Sequence, residues 1–332
     1  MKNWRIFAAV LALAVQAKGQ TLTVLNGFNG GANGGQSFAR LYQGSDGYFY
    51  GTTGWGGLDG AGTLFRISSA GSLTTLHTFT GGADGGHASF GGALVQGSDG
   101  LLYGTTYQGG VQNTGVVFKM TSAGTLTPVY QFSGPDGGGP EAGLVQASDG
   151  NFYGTTYWGG SNNLGTVFRV NSAGVFTNLY QFGGADGSHP YSGMVQNGDG
   201  FLYGTTFGGG SNGWGSVFKI TTAGTLTTLH HFGIYPDGAD PYGITPGPGG
   251  FLYGTTSAIG PAGRGTVYKI DSLGSFQTLH GFTNGVDGGS PQCELLLASD
   301  GNPTVRPTMV ESQTVPLPTE RELCSGSPRR GP

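Results

Sequence analysis

Short apolar runs alternate with glycine-rich breaks along most of the chain, and residues 143–182 show the pattern in one unit. Gly143-Leu144-Val145-Gln146 reads as a first strand, Ser148-Asp149-Gly150 as a turn, and Phe152 to Tyr157 as a second strand. A Gly/Asn-rich loop, Gly159 to Leu164, leads into a third strand from Gly165 to Val170. Ser172-Ala173-Gly174 then turns into a fourth, Val175 to Phe182. Four short antiparallel strands joined by tight turns make one propeller blade. Aromatic and β-branched residues occupy both parities of the strands, as a sheet buried between two neighbours requires. The Asp-Gly and Ala-Gly pairs supply the left-handed positions that tight hairpins need. Asp-Gly recurs at Asp46-Gly47, Asp99-Gly100, Asp199-Gly200 and Asp300-Gly301, with Gly249-Gly250 standing in once.

The string Tyr-Gly-Thr-Thr begins at Tyr50, Tyr103, Tyr153, Tyr203 and Tyr253, so the repeat is about fifty residues long. Self-similarity at that period means a propeller, a solenoid or an array, and open solenoids usually have shorter periods or helices. The expected fold is all-β, a β-propeller with five complete four-stranded blades at 40–79, 93–132, 143–182, 193–232 and 243–282. Thr21 to Phe28 matches a fourth strand (compare Thr74 to Phe79), and Leu295 to Gly301 matches a first strand with its turn. A ring that closes by pooling these two ends would be six-bladed when intact, but the middle strands of the shared blade are missing.

Composition fits strands better than helices: 70 of 332 residues are glycine, 12% are aromatic and only 10% are charged. The basic start Met1-Lys2-Asn3-Trp4-Arg5, the apolar run Ile6 to Val15 and the small residues Val15 and Ala17 read as a signal peptide over 1–17. The apolar run is too short to span a bilayer as a helix, so no transmembrane segment is expected in the mature chain, which is placed outside the cytoplasm as a secreted or cell-surface protein. Residues 18–301 form the repeat domain and carry more acidic than basic side chains, with no basic patch, which argues against nucleic acid as a partner. Cys293 and Cys324 are the only cysteines and do not amount to a disulfide framework.

Residues 302–332 break the repeat. After Asp300-Gly301-Asn302 the pattern calls for an apolar residue and Tyr-Gly-Thr-Thr, but the chain reads Pro303-Thr304-Val305-Arg306-Pro307. Codons exist for 303–311 that, with one base restored, spell Leu-Tyr-Gly-Thr-Thr-Tyr-Asn-Gly-Gly. The same frame across Glu320 to Ser327 spells Gly-Ala-Gly-Thr-Leu-Phe-Arg-Ile-Ser, the phrase found at Gly60 to Ser68. A one-base deletion that replaced the sixth blade accounts for both matches, whereas a disordered Pro/Arg-rich tail accounts for the composition alone.

Units such as Asp149-Gly150-Asn151-Phe152-Tyr153-Gly154-Thr155-Thr156 followed by Gly165-Thr166-Val167-Phe168-Arg169 resemble the GloVer-type repeats of bacterial exported proteins. The resemblance covers nearly all of 21–301. It implies a signal peptide, tandem repeats and often a C-terminal anchoring segment, which is not recognisable here. It implies no defined biochemical role, and no catalytic residue carries over from it.

Candidate chemistry is sparse. Glu141 and Glu294 are the only glutamates of the repeat region, and nearly every aspartate is a turn residue repeated from blade to blade. His77, His230 and His280 fall at one place in a fourth strand and, like His87, His189 and His231, lack metal-ligand spacing. Asp84, Asp136, Asp186, Asp237 and Asp287 lie in the loops between blades, on the face that also carries Trp55, Tyr107, Trp158, Phe207 and Trp214. These five aspartates with Trp55, Trp158 and Trp214 are the candidate ligand-binding residues, for a glycan or protein partner or for calcium. The competing reading is that each aspartate caps its own turn and each aromatic covers a blade junction. A third-strand cation, Arg66, Lys119, Arg169, Lys219 or Lys269, is expected to pair with a turn aspartate such as Asp99 or Asp149.

The expected function is therefore a non-catalytic binding or structural module with no catalytic residue, no metal site and no cofactor beyond calcium. The alternative is a propeller enzyme, a lyase or hydrolase acting on extracellular polysaccharide. A third reading, prompted by the tail, is a degraded gene product.

Overall fold

The structure, a computed structural model, describes residues 24–88, 92–233, 235–283, 287–292, 294–297 and 303–305. The expected signal peptide, both cysteines and most of the tail lie outside these residues.

Blade 1 comprises β1 (Tyr42–Gln43), β2 (Phe49–Thr53), β3 (Thr63–Ile67) and β4 (Leu73–Thr78). Blade 2 comprises β5 (Gly86–Ala88), β6 (Val95–Gln96), β7 (Leu102–Gln108), β8 (Val116–Met120) and β9 (Leu126–Gln131). Blade 3 runs through β10 (Val145–Gln146), β11 (Phe152–Thr156), β12 (Thr166–Val170) and β13 (Phe176–Gln181). Blade 4 runs through β14 (Val195–Gln196), β15 (Leu202–Thr206), β16 (Ser216–Ile220) and β17 (Leu226–His231). Blade 5 holds β18 (Ala239–Pro246), β19 (Leu252–Ala258), β20 (Thr266–Ile270) and β21 (Phe276–Gly281). A sixth sheet is a hairpin of β22 (Leu295–Leu297) and β23 (Pro303–Val305). The strand pairings are antiparallel and run in chain order within each blade except in blade 2, where both β5 and β6 pair with β7, and the arrangement is the one the repeat predicts for an all-β propeller.

The blades are joined by one aromatic contact used repeatedly. The phenylalanine that ends each fourth strand packs on the third-strand aromatic of the next blade. The pairs are Phe79 on Phe118 at 5.6 Å, Phe132 on Phe168 at 5.1 Å, Phe182 on Phe218 at 5.5 Å and Phe232 on Tyr268 at 5.3 Å between ring centroids. Phe28 packs on Phe65 in the same way at 5.1 Å, so the N-terminal segment occupies the fourth-strand place of the sixth blade.

A bulge sets the backbone contact beside it. The pairing between third and fourth strands slips once in every complete blade, leaving Leu76, Val129, Leu179, Leu229 and Leu279 out of register. The carbonyls of the first four meet the turn glycine of the following blade, Gly124, Gly174, Gly224 and Gly274. A Cβ there would come within 2.5–2.8 Å of the oxygen. Leu25 meets Gly71 at 2.8 Å in the same fashion, a second sign that 24–28 closes the ring.

Glycine is thus required where strands from two blades approach closely. Gly165 has φ +94, and a Cβ on it would lie 2.4 Å from the Thr156 carbonyl oxygen and 2.7 Å from Pro190 Cδ. Gly150 has φ +81 with open space around it. Denaturant titration should show Gly165→Ala costing about 2–4 kcal/mol through strain and collision together, against about 1 kcal/mol for Gly150→Ala, which carries only the backbone term.

Candidate functional site

Each blade begins with a residue forced into the left-handed region: Gln36 (φ 53), His87 (φ 52), Gly139 (φ 57), His189 (φ 54), Asp240 (φ 56) and Ser290 (φ 53). Backbone bonds hold it between neighbouring blades. Gly139 donates to the Thr114 carbonyl at 2.8 Å and accepts from Tyr157 at 3.1 Å, while His189 donates to Leu164 at 2.8 Å and accepts from Phe207 at 3.1 Å. In four blades a proline follows and packs on the preceding blade's glycine, Pro140 on Gly115, Pro190 on Gly165, Pro241 on Gly215 and Pro291 on Gly265. The next residue is fixed in direction by both contacts and is not a repeat-wide type: Glu141, Tyr191, Tyr242 and Gln292, with Phe38 in blade 1.

Three of them, Glu141, Tyr191 and Tyr242, converge at one mouth of the central channel. Tyr191 and Tyr242 have ring centroids 5.3 Å apart, Tyr157 lies 6.2 Å from Tyr191 and 4.9 Å from His189, and Phe207 is 6.2 Å from both Tyr191 and Tyr242. Tyr191 donates a hydrogen bond to the carboxyl of Glu141, whose residue is only 8% exposed. Burial pushes that carboxyl from its ordinary 4.5 up to about 7, with the Tyr191 bond pulling slightly the other way. Burial also raises Tyr191 to about 12 and lifts Tyr157 and Tyr242, while it lowers His189. The mouth therefore holds a carboxyl whose protonated form burial favours, among phenols and an imidazole whose charged forms burial disfavours. A poised carboxyl beside hydroxyl donors and flat aromatic faces is suited to acid–base work on a polar ring.

Just inside the mouth the column of channel-lining residues is Arg40, Ala93, Gly143, Gly193, Gly243 and Glu294. Glu294 reaches across the axis. A Cβ on Gly243 would lie 2.1 Å from its Cγ, one on Gly193 would lie 3.9 Å from its Oε1, and Arg40 Nη1 is 3.7 Å from its Oε2. Burial raises the Glu294 carboxyl, and Arg40 opposes the rise.

The residues predicted to bind a ligand sit farther out on the same face. Gly35 bridges Trp55, Gly138 bridges Trp158, and Ser188 bridges Gly208, so the two loop sets share one face as expected. The aspartates are engaged within their own blades. Asp84 accepts from Thr80 N and from the Thr80 hydroxyl and contacts His77 Nε2 at 3.0 Å. Asp136 accepts from Ser133 N and Tyr130 Oη, and Asp186 accepts from Gly183 N and Tyr180 Oη. Asp237 and Asp287 pair with His230 Nε2 and His280 Nε2 at 3.2 and 3.1 Å. Trp55 stands edge-on to His87 at 4.1 Å, Trp158 covers Gly138 and Gly139, and Trp214 packs into the blade 4–5 core. Among the described residues no group of three or more His, Cys, Asp or Glu side chains converges.

Of the third-strand cations Arg169 acts on the turn carboxylate Asp149 as expected: burial raises that carboxyl, and Arg169 joins the hydrogen bonds from Tyr153 and Asn151 that hold it below its ordinary value. Others are engaged differently. The turn aspartates accept from tyrosine hydroxyls instead, as Asp46 does from Tyr50 at 2.6 Å and Asp99 from Tyr103 at 2.7 Å. Arg66, Lys219 and Lys269 lie over Tyr48, Phe201 and Phe251 at 4.6–4.8 Å, and Lys119 and Lys219 donate to carbonyls of the next blade's turn. A cation so placed stays partly hydrated and also covers a ring face, which a buried ion pair would not allow. A surface depression of about 570 Å³ lies elsewhere, on the outer edge of blade 5 beside Pro236, Pro261 and Phe276.

The fold and the mouth define the chain as a repeat-built β-propeller with an axial cluster. Its sequence matches the Gloeobacter/Verrucomicrobia repeat over 11–198 and 90–304, and the chain belongs to that family. No curated protein matches it in sequence. Solved structures similar to it include a gluconolactonase from Xanthomonas campestris (14% identity, 82% of each chain covered, TM-score 0.51). A putative 6-phosphogluconolactonase from Bacteroides uniformis (16%, 79% and 75%, 0.53) and a periplasmic gluconolactonase from Pseudomonas aeruginosa (17%, 79% and 76%, 0.51) are also similar. At these identities the likeness carries the fold. The expectation of a non-catalytic module is nonetheless corrected: similar solved propellers include ones named gluconolactonase and putative 6-phosphogluconolactonase, which favours the enzyme alternative over that module.

That carboxyl has a consequence for stability. Glu141 holds its proton to higher pH in the folded chain than in the unfolded one, so its contribution is fully present below about 4.5 and is lost as pH rises through about 7. Glu141→Gln has no proton to lose. In urea titrations it should match the parent chain near pH 4 and exceed it near pH 8 by on the order of 3 kcal/mol.

Proposed function

We propose that this chain is an exported hydrolase that opens a sugar-derived lactone or ester at the channel mouth, with Glu141 as general base. The observation that carries the reading is the buried carboxyl near pH 7 beside Tyr191, among mouth residues that are not a repeat-wide type. Ionised Glu141 takes a proton from water as the water oxygen bonds to the acyl carbon. Protonated Tyr242 supplies a hydroxyl donor for the developing oxyanion, while the Tyr191 hydroxyl, which donates to Glu141, orients that carboxylate. Collapse breaks the acyl carbon–oxygen bond, and Glu141 returns its proton to the departing alkoxide, leaving a hydroxy acid. The faces of Tyr157, Tyr191 and Phe207 suit the C–H face of a sugar.

Lactone or ester chemistry is preferred because tyrosine hydroxyls lie beside Glu141; a second carboxyl, Asp240, lies near Tyr242 at the mouth, so glycoside cleavage, which needs two carboxyls, is the second reading. The names of the similar propellers agree with this choice. Export rests on the basic, apolar and small-residue order of residues 1–17. Among the described residues no helix is long and apolar enough to cross a membrane.

A pH-stat assay over aldonolactones and aryl esters tests the reading. Hydrolysis should rise as pH passes about 7, where Glu141 ionises. Glu141→Gln should lower kcat/KM by about 10²–10⁴-fold with the fold intact. Full activity in that variant, or no turnover of any lactone or ester by folded protein, would contradict it.

A further inference from the structure

The rings at the mouth continue past Glu141 along the rim. At four successive blade junctions a ring from the end of a second strand meets the left-handed lead-in residue of the next blade, or the residue just beyond it. Trp55 of blade 1 stands edge-on to His87 at 4.1 Å, and Tyr157 of blade 3 lies 4.9 Å from His189. Between them Tyr107 of blade 2 abuts Gly139, where a Cβ would come 2.7 Å from its Cε2. Phe207 of blade 4 lies 6.2 Å from Tyr242, two positions past Asp240. The series stops at blade 5, whose equivalent residue is Ser257, a hydroxyl that donates to the Asp240 carbonyl. These contacts trace an aromatic arc from blade 1 to blade 5, with Glu141 and Tyr191 in its middle.

The blade 1 end of the arc is the accessible one. Trp55 is 45% exposed, whereas its counterpart Trp158 turns in over Gly138 and Gly139 and Trp214 packs into the blade 4–5 core. The lead-in explains the difference. Gly138-Gly139 carries no side chain and admits an indole, while blade 1 has Gly35-Gln36 at that place and Trp55 lies toward His87. His87 Nδ1 is 2.9 Å from the Gly54 carbonyl oxygen, so indole and imidazole form a corner held to the backbone. A flat ring open to water suits the C–H face of a sugar, whose hydroxyls stay hydrated when it stacks. Charge narrows the class further. The loops of this face in blades 1 to 4, at 54–62, 79–94, 107–115, 132–144, 157–165, 182–194 and 207–215, carry aspartates and Glu141 but no lysine or arginine. A polyuronate or a nucleic acid would be repelled there.

We infer that the arc binds a neutral oligosaccharide several units long, with one end over Glu141 and the chain running along the rim to Trp55. The inference rests on the reading of Glu141 as the reacting centre and adds the substrate class, an ester or lactone carried by a neutral sugar chain in place of a free monosaccharide. Units stacked far from Glu141 contribute equally before and during reaction, so chain length acts on binding and KM and leaves kcat alone.

Calorimetric titration of the full chain with unesterified cello- and manno-oligosaccharides of two and six units tests this. In at least one series Kd should fall about tenfold or more from two units to six. Trp55→Ala should remove that gain and leave the two-unit affinity unchanged, and Trp55→Phe should keep most of it. Leu58→Ala, in the same loop and 86% exposed, should alter neither. Equal affinity for two and six units in both series, no binding, length dependence that survives Trp55→Ala, or displacement of the six-unit sugars by a decaproline peptide overturns the inference. These sugars carry no ester, so binding is read whether or not the chain is a hydrolase. Length-dependent binding without turnover of any lactone or ester would overturn the role of Glu141 alone, and turnover of monomeric esters without length dependence would overturn the arc alone.

Discussion

The contact between the last phenylalanine of one blade and the third-strand aromatic of the next recurs from Phe28–Phe65 to Phe232–Tyr268, and the rest of the molecule follows from it. It fixes the spacing of adjacent sheets, and the bulge beside it presents a carbonyl to a turn that only glycine can occupy at that distance. Constrained at both contacts, successive blades turn by a constant step and bring the ends of the chain together. Most residues of the repeat are committed to this packing. Chemistry is left to the column that packing does not constrain, the residue after each lead-in proline.

That division explains what could be read from sequence alone. Tyr-Gly-Thr-Thr, the Asp-Gly turns and the terminal fragments are local signals repeated several times, so the strands, the blade and the split sixth blade were all legible before any coordinates. Thr21 to Phe28 reads as a fourth strand by likeness to Thr74 to Phe79, and its described part, 24–28, holds the fourth-strand place through Phe28 on Phe65 without forming a regular strand. The mouth was not legible, because Glu141, Tyr191 and Tyr242 are about fifty residues apart or more and differ in type. Their meeting is a property of ring closure, which no local pattern encodes. The recurring Pro140, Pro190, Pro241 and Pro291 are the one sequence mark that aligns them. The aspartate column drew notice because it repeats, yet repetition in a ring marks turn chemistry, and those carboxyls are bonded within their blades. The cations were assigned to aspartates by charge alone, whereas tyrosine hydroxyls compete for those carboxyls at shorter range.

Function then rests on a departure from symmetry. Four blades set glycine or alanine in the channel column and two set the Arg40 and Glu294 pair. At the mouth one blade sets a glutamate among tyrosines. Burial without a cationic partner is costly for a carboxylate, and a propeller that needed only stability would have no reason to keep one there. The shift of Glu141 toward neutrality is that cost expressed as proton affinity, and it is what a general base working near pH 7 requires. Structural resemblance to lactonases supports the fold, and the proposed substrate class rests on Glu141 and its hydroxyl neighbours.

The most direct measurement is a titration of the full chain labelled with ¹³C at the glutamate side-chain carboxyls, followed by NMR and assigned by Glu141→Gln. The account predicts a Glu141 resonance that titrates near 7, well above the ordinary value of 4.5. A Glu141 resonance titrating in the ordinary carboxylate range would contradict the buried, poised base on which the functional reading stands.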